Sequence, residues 1–181
     1  MVRHGETEWS LSGQHTGRTN IPLTETGRKQ ALTLREKLAG KKFAAVLSSP
    51  LERAIETARL AGFGDVVQIE PDLREWDYGD YEGLTSVEIR EKVPGWTVWH
   101  SEVKNGESIL EVAYRARAVI SHLEAIEGDV LIFAHGHILR VLTACWLEVP
   151  PQAGERFALA TATVSRLGYE REVRTMLQWN V

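Results

Sequence analysis

Arg3, His4 and Gly5 stand side by side at the start of the chain, and His135 with Gly136 repeats the imidazole–glycine pair near its far end. A free imidazole has a pKa of about 6.5, so a neutral histidine is available as a nucleophile near neutrality without a metal or an adjacent base. A guanidinium beside it offers a planar fork of donors that suits a phosphate group. Arg53 supplies a second guanidinium from a third segment. If these segments meet, two guanidiniums and two imidazoles surround one point and form a pocket for a dianion. A lone Arg-His-Gly would equally be a stray basic pair at a frayed terminus. The elements around these residues must decide.

Thr24 opens "TETGRKQALTLREKLAG", whose apolar positions Ala31, Leu34 and Leu38 recur at helical spacing, with Gly40 closing the helix. "FAAVLSS" follows as a short buried strand. In "SSPLERAIETARLAG" Ser49 reads as the helix N-cap, Pro50 as the first helical position and Gly62 as the end. "VVQI" is a second short strand. Thr85 with Glu88, and Ser108 with Glu111, have capping-box spacing and predict two helix starts. The second helix runs over about 109–126 and hands over to the apolar strand "DVLIFA". "GHILRVLTACWLEV" is the next helix, stopped by Pro150-Pro151. "ATATVSRLGYE" and "VRTMLQWN" predict two more strands around a turn. This alternation predicts an α/β fold: a three-layer α/β/α sandwich with a mostly parallel central sheet, in one domain over 1–181. Ligands of such sheets bind beyond the carboxyl ends of the strands. His4 and His135 each follow a strand there, and each precedes a glycine that lets backbone approach a ligand. Val2 closes a strand with almost nothing before it, which fits a very short strand or a sequence lacking a few native N-terminal residues.

The formal net charge of −4 excludes a broad basic field for nucleic acid or an anionic membrane, so any anion must be held by a local cation cluster. The single cysteine, Cys145, has no internal disulfide partner and sits in an apolar helical run, as a small core residue. No leader and no apolar run of membrane-spanning length is visible, and the default is a cytoplasmic protein. The sequence leaves a homodimer open.

Six blocks carry a resemblance: "RHGETEW" at 3–9, "HTGRTNIPLTETG" at 15–27, "SSPLERAIETA" at 48–58, "LREWDYGDYEGLT" at 73–85, "NGES" at 105–108 and "FAHGHILR" at 133–140. Together, in this order, they resemble the histidine phosphatase superfamily, which includes the cofactor-dependent phosphoglycerate mutases. The resemblance implies a phosphoglycerate mutase-like fold. It makes His4 the nucleophile, with Arg3, Arg53 and His135 around the phosphoryl group and Glu75 as the acid that protonates the leaving oxygen. Such an acid must be neutral in the first half-reaction, so a raised pKa is expected, by burial or like charge from Trp76, Asp77 and Tyr78. Ser10, Gln14, Thr16, Gly17, Ser108 and Gly136 are the expected substrate contacts. No metal and no cofactor is called for.

Details narrow the resemblance. Ser10 stands where most relatives carry asparagine. It shares this serine, the "SGQ" of Ser12-Gly13-Gln14 and the "REW-YGDYEG" pattern with a sugar-bisphosphatase subgroup. The paired arginine that follows a tryptophan in the mutases is replaced by His100 and Ser101 after Trp99, and Ser86 stands near a mutase lysine. The expectation is therefore a metal-independent phosphatase of small phosphorylated metabolites, sugar phosphates foremost. A phosphoglycerate mutase is the nearest alternative, and a phosphate-ester-binding module without turnover is the second. His137 reads as a supporting or helix-capping residue rather than a metal ligand. His15 reads as substrate-facing or exposed, His100 as a residue of the pocket mouth, His122 as surface, and Glu107 with Ser108 as a helix cap. Trp76 and Trp99 read as core or pocket wall.

Overall fold

The computed structural model of the protein describes residues 1–181. Its central sheet has four strands: β1 (Val2–Arg3), β2 (Ala45–Ser48), β3 (Val67–Ile69) and β4 (Val130–Ala134). They are arranged in the order β1-β4-β2-β3 and every pairing is parallel. Residues along each strand alternate between two apolar layers, as a pleat requires. Val46, Leu131 and Phe133 face Leu34 and Leu38 of helix α2 (Glu25–Leu38) and Ala58 of α3 (Glu52–Ala58). Leu47, Ile132 and Ala134 face the other way. They meet Val112, Ala116 and Val119 of α5 (Ile109–Glu124) and Ile138 and Leu142 of α6 (Gly136–Trp146). The sheet is thus the middle layer of an α/β/α sandwich.

Two shorter helices, α1 (Glu8–Ser12) and α4 (Ser86–Lys92), lie in the connections. Thr85 and Ser108 each close a capping box, as their spacing predicted. The tail departs from the main sheet. Strands β5 (Arg166–Glu170) and β6 (Val173–Gln178) form a separate antiparallel hairpin. Ala162 turns at φ 52° and Val164 makes one antiparallel bridge to Val2, so the strand expected from residue 160 starts only at Arg166. Helix α6 also stops before the proline pair, because Glu148 takes a left-handed φ of 58°.

One helix start is corrected. Ser49 does not cap α3 and Pro50 is not its first residue; the helix begins at Glu52, with Leu51 at the N-cap position and no side-chain cap. The Ser49 hydroxyl is instead turned toward His135. The carboxyl ends of β1, β2 and β4 therefore present His4, Ser49 and His135 at one edge of the sheet. No helix is long and apolar enough to cross a membrane.

Candidate active site

His4 continues β1 and donates its backbone N–H to the Ala134 carbonyl at 2.9 Å. That bond carries the strand pairing one residue beyond Arg3 and seats the imidazole beside His135, with ring centroids 5.1 Å apart. His4 Nδ1 lies 2.7 Å from the Gly5 carbonyl. A carbonyl only accepts, so Nδ1 carries the ring proton and Nε2 keeps its lone pair. Burial pushes the His4 pKa well below its ordinary value, and the Arg53 and Arg3 charges push the same way against the Gly5 carbonyl. The ring is neutral and its Nε2 meets no protein donor.

The glycine after His4 has a different reason from the expected one. A Cβ on Gly5 would lie 2.4 Å from the Gly27 carbonyl oxygen, and one on Gly27 would lie 2.1 Å from the Glu6 carbonyl oxygen. The pair lets two backbone segments touch, and so fixes the turn after β1 against the start of α2. Gly136 does face the cluster: its Cβ direction meets the Arg3 guanidinium carbon at 3.4 Å.

Arg53 is fully buried on α3. Its Nε donates to His135 Nδ1 at 3.1 Å, and its two terminal nitrogens donate to the carbonyls of Thr19, Thr16 and Gly17. Thr16 and Gly17 therefore join the cluster through their backbone. Glu82 completes this clamp by accepting the N–H groups of Gly17 and Thr19. Arg3 donates to the Leu159 carbonyl, and its buried Nε has no partner in the protein. A buried guanidinium donor left unpaired is costly unless an acceptor comes to it.

Glu75 is 5% exposed and accepts three backbone N–H groups. Oε1 takes those of Trp76 and Ile138, and Oε2 takes that of His137. Two of the three belong to the first turn of α6, where a helix offers unpaired donors and a favourable dipole to a carboxylate. A carboxylate has about four lone-pair sites. One on Oε2 is left.

Arg115 and Arg140 went unnoticed in the sequence, and several residues it did single out take roles it did not assign. Tyr78 is buried, and its hydroxyl lies 2.6 Å from His137 Nδ1. Burial, and then the Glu75 charge, push the phenol pKa well above its ordinary value, so it stays protonated. His15 is neither solvent-exposed nor free. It is 8% exposed, stacks on Tyr78 at 4.7 Å and meets Trp96 edge-on, and burial lowers its pKa to about 4. Trp76 and Trp99 pack around His137, and Arg140 lies 4.6 Å above Trp99. Glu107 does not cap a helix. It pairs with buried Arg115 and accepts the Asp77 N–H, while Arg115 also binds the carbonyls of Asp72 and Arg74. These two side chains hold the loop that carries Glu75. Nothing in the local sequence signals that role, since an Arg and a Glu eight positions apart have no helical relation.

The other expected substrate contacts are spent elsewhere. The Ser10 hydroxyl accepts the Thr7 N–H and donates to the Thr7 carbonyl within the capping box of α1. Gln14 bonds the Gly83 carbonyl and the Ser12 hydroxyl. Ser108 is exposed and caps α5; it lines a separate cavity of about 400 Å³ with Trp99, His100, Asn105 and Gln152. His100, expected at the mouth of the site, lines that cavity too and pairs with Glu155. His122 is exposed and pairs with Glu70, and Cys145 is buried, as expected. No group of three or more His, Cys, Asp or Glu side chains is placed to hold a metal ion.

Comparison with known proteins converges on one family. The sequence model of the histidine phosphatase superfamily (branch 1) matches residues 1–181. An acid phosphatase of Mycobacterium tuberculosis is 43% identical over 97% of this chain and 88% of its own length. Sedoheptulose 1,7-bisphosphatase of Saccharomyces cerevisiae is 36% identical over 84% of this chain and 68% of its own length. The solved structure of the open reading frame Rv3214 product from Mycobacterium tuberculosis superposes with a TM-score of 0.94 at 40% identity, covering 99% of this chain and 95% of that one.

Proposed function

The chain belongs to the histidine phosphatase superfamily and hydrolyses phosphate monoesters, and from that premise we propose the residues and substrates with which it does so. His4 Nε2 attacks phosphorus and forms a phosphohistidine. The observation that carries this reading is the Nδ1 bond to the Gly5 carbonyl, which leaves Nε2 unprotonated beside the charges of Arg53 and Arg3. Phosphoryl transfer passes through a loose transition state with charge spread over the equatorial oxygens. Arg3 and Arg53 supply fixed positive charge for those oxygens, and His135 a ring N–H donor. The open lone-pair site on Glu75 Oε2 carries the proton that goes to the leaving oxygen. Glu75 then takes a proton from the water that attacks the phosphohistidine.

The substrates on this reading are small phosphorylated metabolites, sugar phosphates foremost. Relatives named acid phosphatase and sedoheptulose bisphosphatase support that class.

The test is hydrolysis of a panel of phosphomonoesters with chelator present, for wild type and His4→Ala, with phosphoglycerate watched for isomerisation. Wild type is expected to release phosphate at an undiminished rate in chelator and to show an acid-labile phosphoenzyme on rapid quenching. His4→Ala is expected to show neither. Loss of activity in chelator, or isomerisation without phosphate release, would overturn the reading.

A further inference from the structure

The hydrogen bonds around His135 account for every proton but one. Arg53 Nε–H can only donate, so His135 Nδ1, at 3.1 Å, accepts. A neutral imidazole with an accepting Nδ1 carries its proton on Nε2. That nitrogen lies 2.7 Å from Ser49 Oγ and donates to it. The Leu51 backbone N–H donates to the same oxygen at 3.2 Å. Two donors fill both lone pairs of Ser49 Oγ. Its own O–H then has no acceptor, for no other bond reaches this fully buried hydroxyl. The resting site therefore strands one buried proton. It also leaves neither ring nitrogen of His135 free to donate to a substrate.

Both anomalies disappear together if the ring changes tautomer. We propose that Ser49 is the positioning residue that lets His135 exchange an accepting nitrogen for a donating one when a phosphoryl group enters. Arg53 Nε–H turns from His135 Nδ1 to a phosphoryl oxygen. His135 gains a proton on Nδ1 from water and gives up the Nε2 proton to water, so the ring remains neutral. Nδ1–H then donates to the phosphoryl group. The stranded Ser49 O–H rotates to donate to Nε2, while Leu51 N–H keeps its acceptor. All four donors are paired in this state. In the free site burial opposes an imidazolium, as do Arg53, His4, Arg3 and Arg115. Serine fits because a hydroxyl both accepts and donates; alanine does neither.

This inference rests on the cluster being the phosphoryl site, and its experiment separates the two. Imidazole ¹⁵N spectra of the wild-type protein, assigned with His135→Asn, are recorded without and with saturating inorganic phosphate. The expected result is Nε2–H in the free protein and a neutral Nδ1–H ring with phosphate. A His135 that stays Nε2–H, or becomes doubly protonated, would overturn the exchange while leaving turnover by the wild type intact. Absence of both turnover and phosphate binding would sink the phosphatase reading and this one with it. In parallel, Ser49→Ala is expected to lose about 10- to 100-fold in kcat/KM, the scale of an unpaired buried donor. Ser49→Thr, which keeps the hydroxyl, is expected to restore most of it. Equal losses in the two variants would assign Ser49 a packing role only.

Discussion

Glu75 joins two demands that pull apart: three N–H donors hold it still, and one lone pair must hand over a proton. If Oε2 protonates the leaving oxygen, the need for it depends on the leaving group. Glu75→Gln is expected to lose about 10²- to 10⁴-fold in kcat on an alkyl phosphate, the usual worth of general acid catalysis. On p-nitrophenyl phosphate, whose phenolate leaves unaided, the first half-reaction should proceed nearly as in wild type. The second half still lacks its base, so phosphohistidine should accumulate and give a burst of nitrophenol. Equal losses on both esters, with no burst, would remove Glu75 from proton transfer. The residues of this reading were legible unequally. His4, Arg3, Arg53, His135 and Glu75 sit inside blocks that resemble the superfamily, and the structure brings them together. Ser10, Gln14 and Ser108 sit in similar blocks, yet their side chains satisfy local backbone or caps. Spacing announces a capping box to any reader; it does not announce which competing partner a hydroxyl takes in three dimensions.

The elements show why the site holds its geometry. Glu107 and Arg115 form a buried pair at 2.7 Å, with side chains 15% and 8% exposed, and together bind residues 72, 74 and 77. Glu107→Ala leaves the Arg115 charge in the interior without its counter-ion, held only by the Asp72 and Arg74 carbonyls, a loss of about 3–5 kcal/mol. The expected outcome is a matching drop in unfolding free energy in urea and a fall in kcat, because the loop that carries Glu75 loses its anchor. A surface-like loss below about 1 kcal/mol would show that the pair is dispensable. Gly5→Ala tests the other anchor. The new methyl meets the Gly27 carbonyl oxygen at 2.4 Å, and backbone cannot swing aside as a side chain does. Overpacking of this kind costs about 1–3 kcal/mol, read as a lower thermal midpoint, and it shifts the carbonyl that sets the His4 tautomer. At this scale the sequence was informative wherever the signal was local: α2, α5, β4 and their caps follow from periodicity and capping residues. It misled where the signal was tertiary. Ser49 and Pro50 look like a helix start, but the hydroxyl is taken by His135 across the sheet. Gly5 looked like room for a ligand, and the room is for Gly27.

The whole molecule holds four histidines as neutral rings: buried His4, His15 and His135 and half-buried His137 all have pKa values pushed down, with desolvation the first cause in each. The unfolded chain has no such constraint and titrates them at about 6.5. Above that pH both states hold the neutral form and these groups make stability flat. Below it the unfolded chain binds a proton at each ring while the folded protein does not, so stability falls as pH falls. For His15 the window runs from about 6.5 down to about 4, a loss of about 3 kcal/mol across it. Each ring contributes a slope of at most about 1.4 kcal/mol per pH unit, so the four together add at most about 5–6 kcal/mol per unit, against a total stability of about 5–15 kcal/mol. The chemistry follows the opposite trend. The His4 pKa lies well below its ordinary value, so the nucleophile is not lost as pH falls through about 6.5. The acid limit of the enzyme is then set by unfolding and not by its active histidine. Urea unfolding at pH 7, 6 and 5 should show a midpoint that falls steeply below pH 6.5, and His15→Phe should flatten that slope by about a quarter, one ring in four. Initial rates taken while the protein is still folded should show no loss of kcat/KM with a midpoint near the free-imidazole value. A fall in kcat/KM at about pH 6.5, with the urea midpoint unchanged, would mean that burial does not keep His4 neutral and that its own protonation sets the acid limit.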